Sequence, residues 1–214
     1  MDNELTSLPI LAENPTELSS PPGGPYSKEK HWQEVEAQFR HTTDRLGYGI
    51  EAGILEPVVA LNLLGIHTTQ SCEGHLERGT GAPWIDVAAA DTRELEEQVR
   101  LAYQQQHTQP RDELTQYATA NRRKLETEIR TRNLAERRKI LDYLEEFYQD
   151  RRVPIDRQLH LQKIGIEETR LESQGACFQE LAQPEIKQTK LDEYRLEMKV
   201  FGAFLKEKYI SNQT

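Results

Sequence analysis

The densest run of reactive side chains in the sequence is Ser71-Cys72-Glu73-Gly74-His75. It holds a thiol, a carboxylate and an imidazole within five positions, and Gly74 allows the backbone to turn sharply so that His75 can fold back to Cys72. A thiol beside an imidazolium has a lowered pKa and becomes a nucleophile, and Glu73 or Asp86 could orient the imidazole. We therefore predict a ligand-binding or catalytic site formed by Cys72, His75, Glu73 and Asp86.

The Cys-x-x-His spacing of Cys72 and His75 also suits two ligands of a metal ion. A stable zinc site needs three or four protein ligands, and the sequence has no second close pair of cysteines or histidines. His67 lies five positions before Cys72, so in an extended strand its side chain would face the opposite side. Zinc is thus an alternative with an incomplete ligand set. In a third interpretation, Cys72 is a small buried apolar side chain.

The reactive loop lies between two predicted strands. Residues 66–71 are a β-prone run that leads into the loop, and residues 84–89 form the strand that follows it. Glycines in the intervening loop give its backbone conformations that other residues rarely adopt. We expect the strands to belong to a small α/β domain over residues 27–108, completed by strands that the sequence does not reveal or by the C-terminal helices.

Three helices are predicted around these strands. Apolar residues at helical spacing indicate a helix over residues 30–46 that Gly47 ends. A second helix begins at Glu56 and Pro57, because proline is well suited to the first helical position. The third helix begins at Asp91, which forms a capping box with Glu94.

The remainder of the chain, residues 109–214, is predicted to be helical. A long helix covers residues 110–150, and Asp156 caps a second helix that carries Leu159, Ile166 and Leu171. The last helix has apolar residues at steps of three and four, the spacing of a coiled-coil seam: Leu191, Tyr194, Met198, Phe201 and Leu205. We expect a helical hairpin or bundle, whose seam could join two copies in a homodimer. Packing within the chain's own core is the alternative explanation of these apolar stripes.

Residues 1–26 differ in composition from the rest of the chain. They hold five of the ten prolines, four acidic side chains and no basic one, and they offer too little apolar surface to offset the entropy of ordering. We predict a disordered tail. The predicted fold class is therefore α+β, with a small α/β unit of two or more strands and flanking helices, a long C-terminal helical region and this tail.

The full chain of 214 residues carries 36 acidic and 27 basic side chains, a formal net charge of −9. Bulk acidity argues against indiscriminate binding to nucleic acids or anionic membranes. No window approaches the ~20 consecutive apolar residues of a membrane-spanning helix, and the acidic N-terminus lacks the features of a secretory signal. The two cysteines do not provide a disulfide framework. We expect a cytoplasmic protein with reduced thiols and no membrane association.

One stretch of the sequence is basic. Residues 122–139 hold eight basic and three acidic side chains, and a long helix could present them to a phosphate backbone. No aromatic residue lies between Tyr117 and Tyr143, so no aromatic ring is available there to stack on unpaired bases. A solvated helix face braced by charge pairs such as Glu126 with Arg130 is favoured. A helical interaction protein without catalytic activity and a nucleic-acid-associated protein are thus the two alternatives to the site at Cys72.

Residues 61–75 and the following residues 83–87 resemble a motif of bacterial and phage proteins of unknown function. Those proteins pair a Gly-Ile-x-Thr-x-x-Ser-Cys-x-Gly-His segment with a Pro-Trp-hydrophobic-Asp strand. The resemblance implies a pocket for an unidentified small molecule near Cys72 and His75. The strand end is also similar to the wybutosine-synthesis tRNA-modification family, whose Thr-x-Ser-Ser-Cys-Ser-Gly-Arg segment ends a strand. This chain has Glu73 and His75 where that family has serine and arginine.

Overall fold

The computed structural model of the chain describes residues 27–43, 47–77, 80–108 and 113–211. These ranges contain five α-helices: α1 (Lys28–Arg40), α2 (Ala52–Leu63), α3 (Arg93–Thr108), α4 (Glu113–Tyr148) and α5 (Pro184–Ser211). They also contain four strands: β1 (Thr68–Cys72), β2 (Trp84–Val87), β3 (Leu159–Ile164) and β4 (Glu168–Ser173). Two 3₁₀ helices cover Ile155–Arg157 and Gln174–Leu181. This architecture confirms the predicted α+β class.

The four strands form one antiparallel sheet in the order β1-β2-β4-β3. The strands predicted over residues 66–71 and 84–89 are confirmed as β1 and β2. The other two come from the C-terminal part of the chain, so the sheet crosses the predicted boundary between residues 108 and 109. These are the strands that complete the α/β unit.

The predicted helix after Asp156 is wrong, because residues 159–173 form the β3–β4 hairpin. Their apolar residues alternate with polar ones, and Leu159 and Leu161 both pack on the core. A period of two is the pattern of a half-buried strand rather than of a helix. Gly165 has a φ of 45°, a left-handed conformation that tight hairpin turns require.

The first two helices differ from the prediction mainly at one end each, and α1 also begins two residues earlier than predicted. α1 ends at Arg40, and the left-handed Gly47, with a φ of 82°, lies in the loop beyond it. α2 begins at Ala52, so Pro57 lies inside the helix and not at its start. The earlier start buries Ile54 completely, which supplies apolar contact energy for the added turn.

The core lies between one face of the sheet and helices α1, α2, α4 and α5. Its largest fully buried side chains include Ile54, Leu61, Ile85, Leu171 and Phe201. The predicted seam of the last helix is buried in this chain's own interior, with none of its five residues more than 3% exposed. Packing within the chain's own interior therefore explains the stripe. A homodimer through α5 stays a prediction, and these side chains have no free surface left to contribute to it.

The predicted tail, residues 1–26, lies outside the described residues, as does the predicted helix start at Pro110. The long helix itself is confirmed as α4. Within the described ranges, no helix combines the length and the apolar character needed to cross a membrane.

The basic stretch over residues 122–139 lies on α4, and six of its eight cations make ion pairs. Arg130 and Arg137 both reach Glu167, in the turn between β3 and β4. Glu126 pairs with Arg122 and not with Arg130, the partner that the sequence suggested. The arrangement agrees with a helix face braced by charge pairs, and nucleic-acid binding by this stretch stays a prediction.

Candidate functional site

Three side chains able to bind a metal ion converge where β1 ends. The Nε2 atom of His75 lies 2.5 Å from the Oε1 atom of Glu51, and the Cys72 thiol also hydrogen-bonds to the Glu51 side chain. One potential ligand atom from each residue lies within 4.8 Å of the other two. The structure thus brings the predicted Cys72 and His75 together and adds Glu51 to them.

A sharp turn after β1 brings His75 back toward Cys72. Gly74 has a φ of 81° in this turn, and a Cβ atom there would lie 2.6 Å from the carbonyl carbon of Ala82. Both the backbone angle and the space therefore require glycine. The Gly74 N–H donates a hydrogen bond to Sγ of Cys72 at 3.3 Å.

The N-terminus of α2 is joined to the reactive loop by two glutamates. Glu51 is the residue that precedes the first turn, and its Oε2 atom accepts from the Glu73 N–H at 2.7 Å. Glu73 in turn accepts from the Gly53 N–H at 2.9 Å through its own Oε2. Glu73 thereby satisfies one of the free N–H groups of the helix. These two hydrogen bonds hold the Glu51 carboxylate beside the loop.

Arg195 of α5 fixes the same loop from another side. Its guanidinium donates to the backbone oxygen of Glu73 at 3.0 Å and to that of Gly74 at 2.6 Å. It also lies 3.7 Å from the Glu73 carboxylate. The loop is therefore attached to α2 through side chains and to α5 through backbone carbonyls.

Local hydrogen bonds keep the Glu51 carboxylate in its charged form. Burial by itself raises the pKa of Glu51, but bonds from the Glu73 backbone, His75 and Cys72 outweigh it, and the pKa is lower than usual. The ionised carboxylate is also the form that coordinates metal ions.

Asp86, the fourth predicted site residue, lies on the sheet and is bound by Arg170. The guanidinium donates to its two carboxylate oxygens at 2.7 and 2.8 Å and lies over the ring of Trp84 at 4.0 Å from its centroid. Burial raises the pKa of Asp86, and the Arg170 pair opposes that rise. The group that hydrogen-bonds His75 is Glu51, where the sequence suggested Glu73 or Asp86.

No spacing pattern in the sequence connects the missed residues with the loop. Glu51 is 24 positions from His75, and Arg195 is 122 positions from Glu73. One local signal was available, because an acidic residue just before a helix is a common N-terminal feature. That signal requires a helix start at Ala52, and the sequence predicts the start at Glu56.

His67 does not join the group of Glu51, Cys72 and His75. Its Nδ1 atom lies 3.2 Å from the backbone oxygen of Ala88, and burial lowers the pKa of the ring. It therefore serves the packing at the start of β1.

Comparisons of this chain with protein-family models, with curated proteins and with solved structures find no match. The resemblance of the loop to bacterial and phage proteins stays a prediction. Support for a function therefore comes from the geometry and chemistry of the site.

Proposed function

We propose that this protein binds a divalent transition metal ion, with Zn²⁺ preferred, through Glu51, Cys72 and His75. The observation that carries the proposal is the convergence of a thiol, an imidazole and a carboxylate within 4.8 Å. Mixed sulfur, nitrogen and oxygen ligands suit zinc. Zinc–ligand bond lengths place the ligand atoms of a tetrahedral site about 3.3–3.7 Å apart, so small side-chain rotations would form it.

The hydrogen bonds support a metal site over a nucleophile with its base. In a catalytic triad the imidazole lies between the nucleophile and the carboxylate. In this chain the thiol of Cys72 and the imidazole of His75 both bind the carboxylate of Glu51. The carboxylate, and not the imidazole, therefore lies between the other two groups. The predicted nucleophilic thiol is therefore the second interpretation of the same loop.

Three protein ligands leave a fourth zinc position open for water or a small molecule, the pattern of catalytic and not structural zinc. A zinc-bound water is acidic enough to supply hydroxide near neutral pH. We infer a metal-dependent protein that acts on or binds a small molecule at the end of β1. Both cysteines are free thiols, which supports a reducing, cytoplasmic location.

The proposal is tested by titrating the metal-free chain with Zn²⁺, using native mass spectrometry for stoichiometry and calorimetry for affinity. Co²⁺ is the spectroscopic probe, because a cysteine ligand gives a thiolate-to-cobalt charge-transfer band. Cys72→Ser removes the proposed sulfur ligand. Cys177→Ser is the matched control, because Cys177 is the other free cysteine and is exposed.

We expect one Zn²⁺ per chain in the wild type and in Cys177→Ser, and at least about tenfold weaker binding in Cys72→Ser. The cobalt band should disappear only in Cys72→Ser. Equal zinc affinity in both variants, or no binding by the wild type, would overturn the proposal. Selective alkylation of Cys72 in a chain that binds no zinc would support a nucleophilic thiol in its place.

A further inference from the structure

The face of the sheet opposite the core carries a cluster of polar and aromatic side chains. Paired residues in an antiparallel sheet project to the same side, and the strand pairing places Gln70, Gln162 and six further polar or aromatic residues together. Ile85 and Leu171, which alternate with them, belong to the core. We call the six residues the polar face: Cys72, Trp84, Asp86, His160, Arg170 and Glu172.

Glu172 is the exceptional member of the polar face. Its side chain is buried, with the residue only 8% exposed. With the residues that the structure describes, its carboxylate makes no hydrogen bond and no ion pair. The cation nearest to it along β4, Arg170, donates to both carboxylate oxygens of Asp86 instead. A buried carboxylate is normally paired, because leaving it unpaired costs solvation energy.

His160 has a similar unused group directly beside Glu172. The two residues are partners across the β3–β4 pairing, and the Nδ1 atom of His160 is buried without a hydrogen-bond partner in the described part of the chain. A buried nitrogen without a partner, beside a carboxylate that accepts no hydrogen bond from the described residues, indicates a place where an external molecule completes the hydrogen bonding.

The charges of the polar face indicate which kind of molecule fits. Asp86 and Glu172 are both carboxylates, and the guanidinium of Arg170 is held by the first of them and by the ring of Trp84. An anion would therefore meet an unpaired carboxylate. A cation with several N–H donors would instead satisfy Glu172 and could place one further N–H on the His160 ring.

We propose that Glu172 and His160 form a subsite for an amine- or guanidinium-bearing small molecule. Cys72, Trp84, Glu172 and His160 are paired in that order across all four strands. Adjacent strands lie about 4.8 Å apart, so Glu172 is about 10 Å from Cys72. The subsite would hold the cationic end of a ligand whose other end reaches the loop. Its role as part of the substrate site rests on the proposed function, whereas cation binding itself does not.

The experiment compares two probes of nearly identical shape, the n-butylguanidinium ion and neutral n-butylurea. Binding is followed by calorimetry and by Trp84 fluorescence in a Trp32→Phe background, which removes the other tryptophan. All measurements contain EDTA, so that a failure of the zinc proposal and a failure of this one are distinguishable. The variant Glu172→Gln keeps the shape of the side chain and removes its charge.

Glu168→Gln is the matched control variant. Glu168 lies four positions earlier on β4 and on the same side of the sheet, about 13 Å from Glu172 along the strand. Like Glu172, it has a pKa raised by burial. Circular dichroism verifies that each variant is folded, and Glu172→Met serves as a second uncharged variant.

We expect the butylguanidinium ion to bind the wild type and Glu168→Gln within twofold of each other, and to bind Glu172→Gln at least about tenfold more weakly. Butylurea should bind all three proteins at least about tenfold more weakly than the ion binds the wild type. Equal binding of both probes, unchanged binding in Glu172→Gln, or no binding of the ion at about 10 mM would each overturn the subsite.

Discussion

Two buried glutamates in different regions of this protein have opposite surroundings. In the helical layer, Glu197 of α5 is 1% exposed and accepts hydrogen bonds from Arg151 at 2.9 and 3.0 Å and from Tyr148 at 3.0 Å. On the polar face, Glu172 is 8% exposed and has no such partner among the described residues. Both residues are largely buried, but only Glu197 accepts hydrogen bonds from the described residues.

The difference separates a region that joins the helices to the sheet from the region that we propose binds a ligand. The Tyr148 hydroxyl also accepts from the Leu159 N–H at 2.8 Å. The hydrogen bonds around Glu197 therefore join α4, α5 and β3. Such a network stabilises the fold only while all its members are present. The polar face instead holds a carboxylate that accepts no hydrogen bond from the described residues, and we expect it to destabilise the free protein.

The largest effect is expected from breaking the paired glutamate with Arg151→Leu. The substitution leaves Glu197 buried with Tyr148 as its remaining partner, and removes the guanidinium from the Phe147 ring. We expect the free energy of unfolding in urea to fall by about 3 kcal/mol. Arg152→Leu, at the exposed neighbouring position, should change it by less than ~0.5 kcal/mol. Similar losses in both variants would contradict the importance of the pair.

A smaller loss is expected from Tyr148→Phe. Burial raises the pKa of Tyr148, so its hydroxyl stays protonated and donates to Glu197 while it accepts from Leu159. Its removal leaves both partners short of one bond, and we expect about 1.5 kcal/mol of destabilisation in urea unfolding. Tyr143→Phe on the same helix is the control and should be nearly neutral. A neutral Tyr148→Phe would show that the hydroxyl does not contribute.

The smallest effect has the opposite sign and concerns the unpaired glutamate. Glu172→Gln removes a charge on a buried residue that accepts no hydrogen bond from the described residues, so we expect it to raise the free energy of unfolding at pH 7 by about 1 kcal/mol. Burial raises the pKa of Glu172. The folded state therefore binds the proton more tightly than the unfolded state, and the wild type loses relative stability as the pH rises through that pKa.

Measurements at two pH values test the origin of this effect. The gain from Glu172→Gln should shrink between pH 7 and pH 4.5, because the folded wild type, with its raised pKa, takes up a proton at Glu172 over this range and loses the buried charge. Glu145→Gln, at an exposed position of α4, provides the control. Destabilisation by Glu172→Gln at pH 7 would mean that the carboxylate has a partner after all.

Local patterns in the sequence predicted the parts of the fold that depend on neighbouring residues. The α+β class, β1, β2, α4 and the buried stripe of α5 follow from periodicity over short windows. The β3–β4 hairpin was missed because charged residues at alternate positions, such as Lys163 and Glu168, resemble the rest of a highly charged helical region. The alternation of Leu159 and Leu161 with polar residues was the available signal for a strand, and pairing with β2 confirms which positions face the core.

The candidate site, too, depends partly on adjacent residues and partly on the tertiary structure. Cys72 and His75 are three positions apart, so the sequence by itself determined that a turn at Gly74 could bring them together. The tertiary structure decided that Glu51 joins them, since packing of α2 beside β1 brings a residue 24 positions away into contact with His75. It also decided that Asp86 is bound by Arg170, and that Glu172 and His160 are neighbours on the polar face. Turn geometry depends on a few adjacent residues, whereas pairing between distant strands and helices depends on how the whole chain buries its apolar surface.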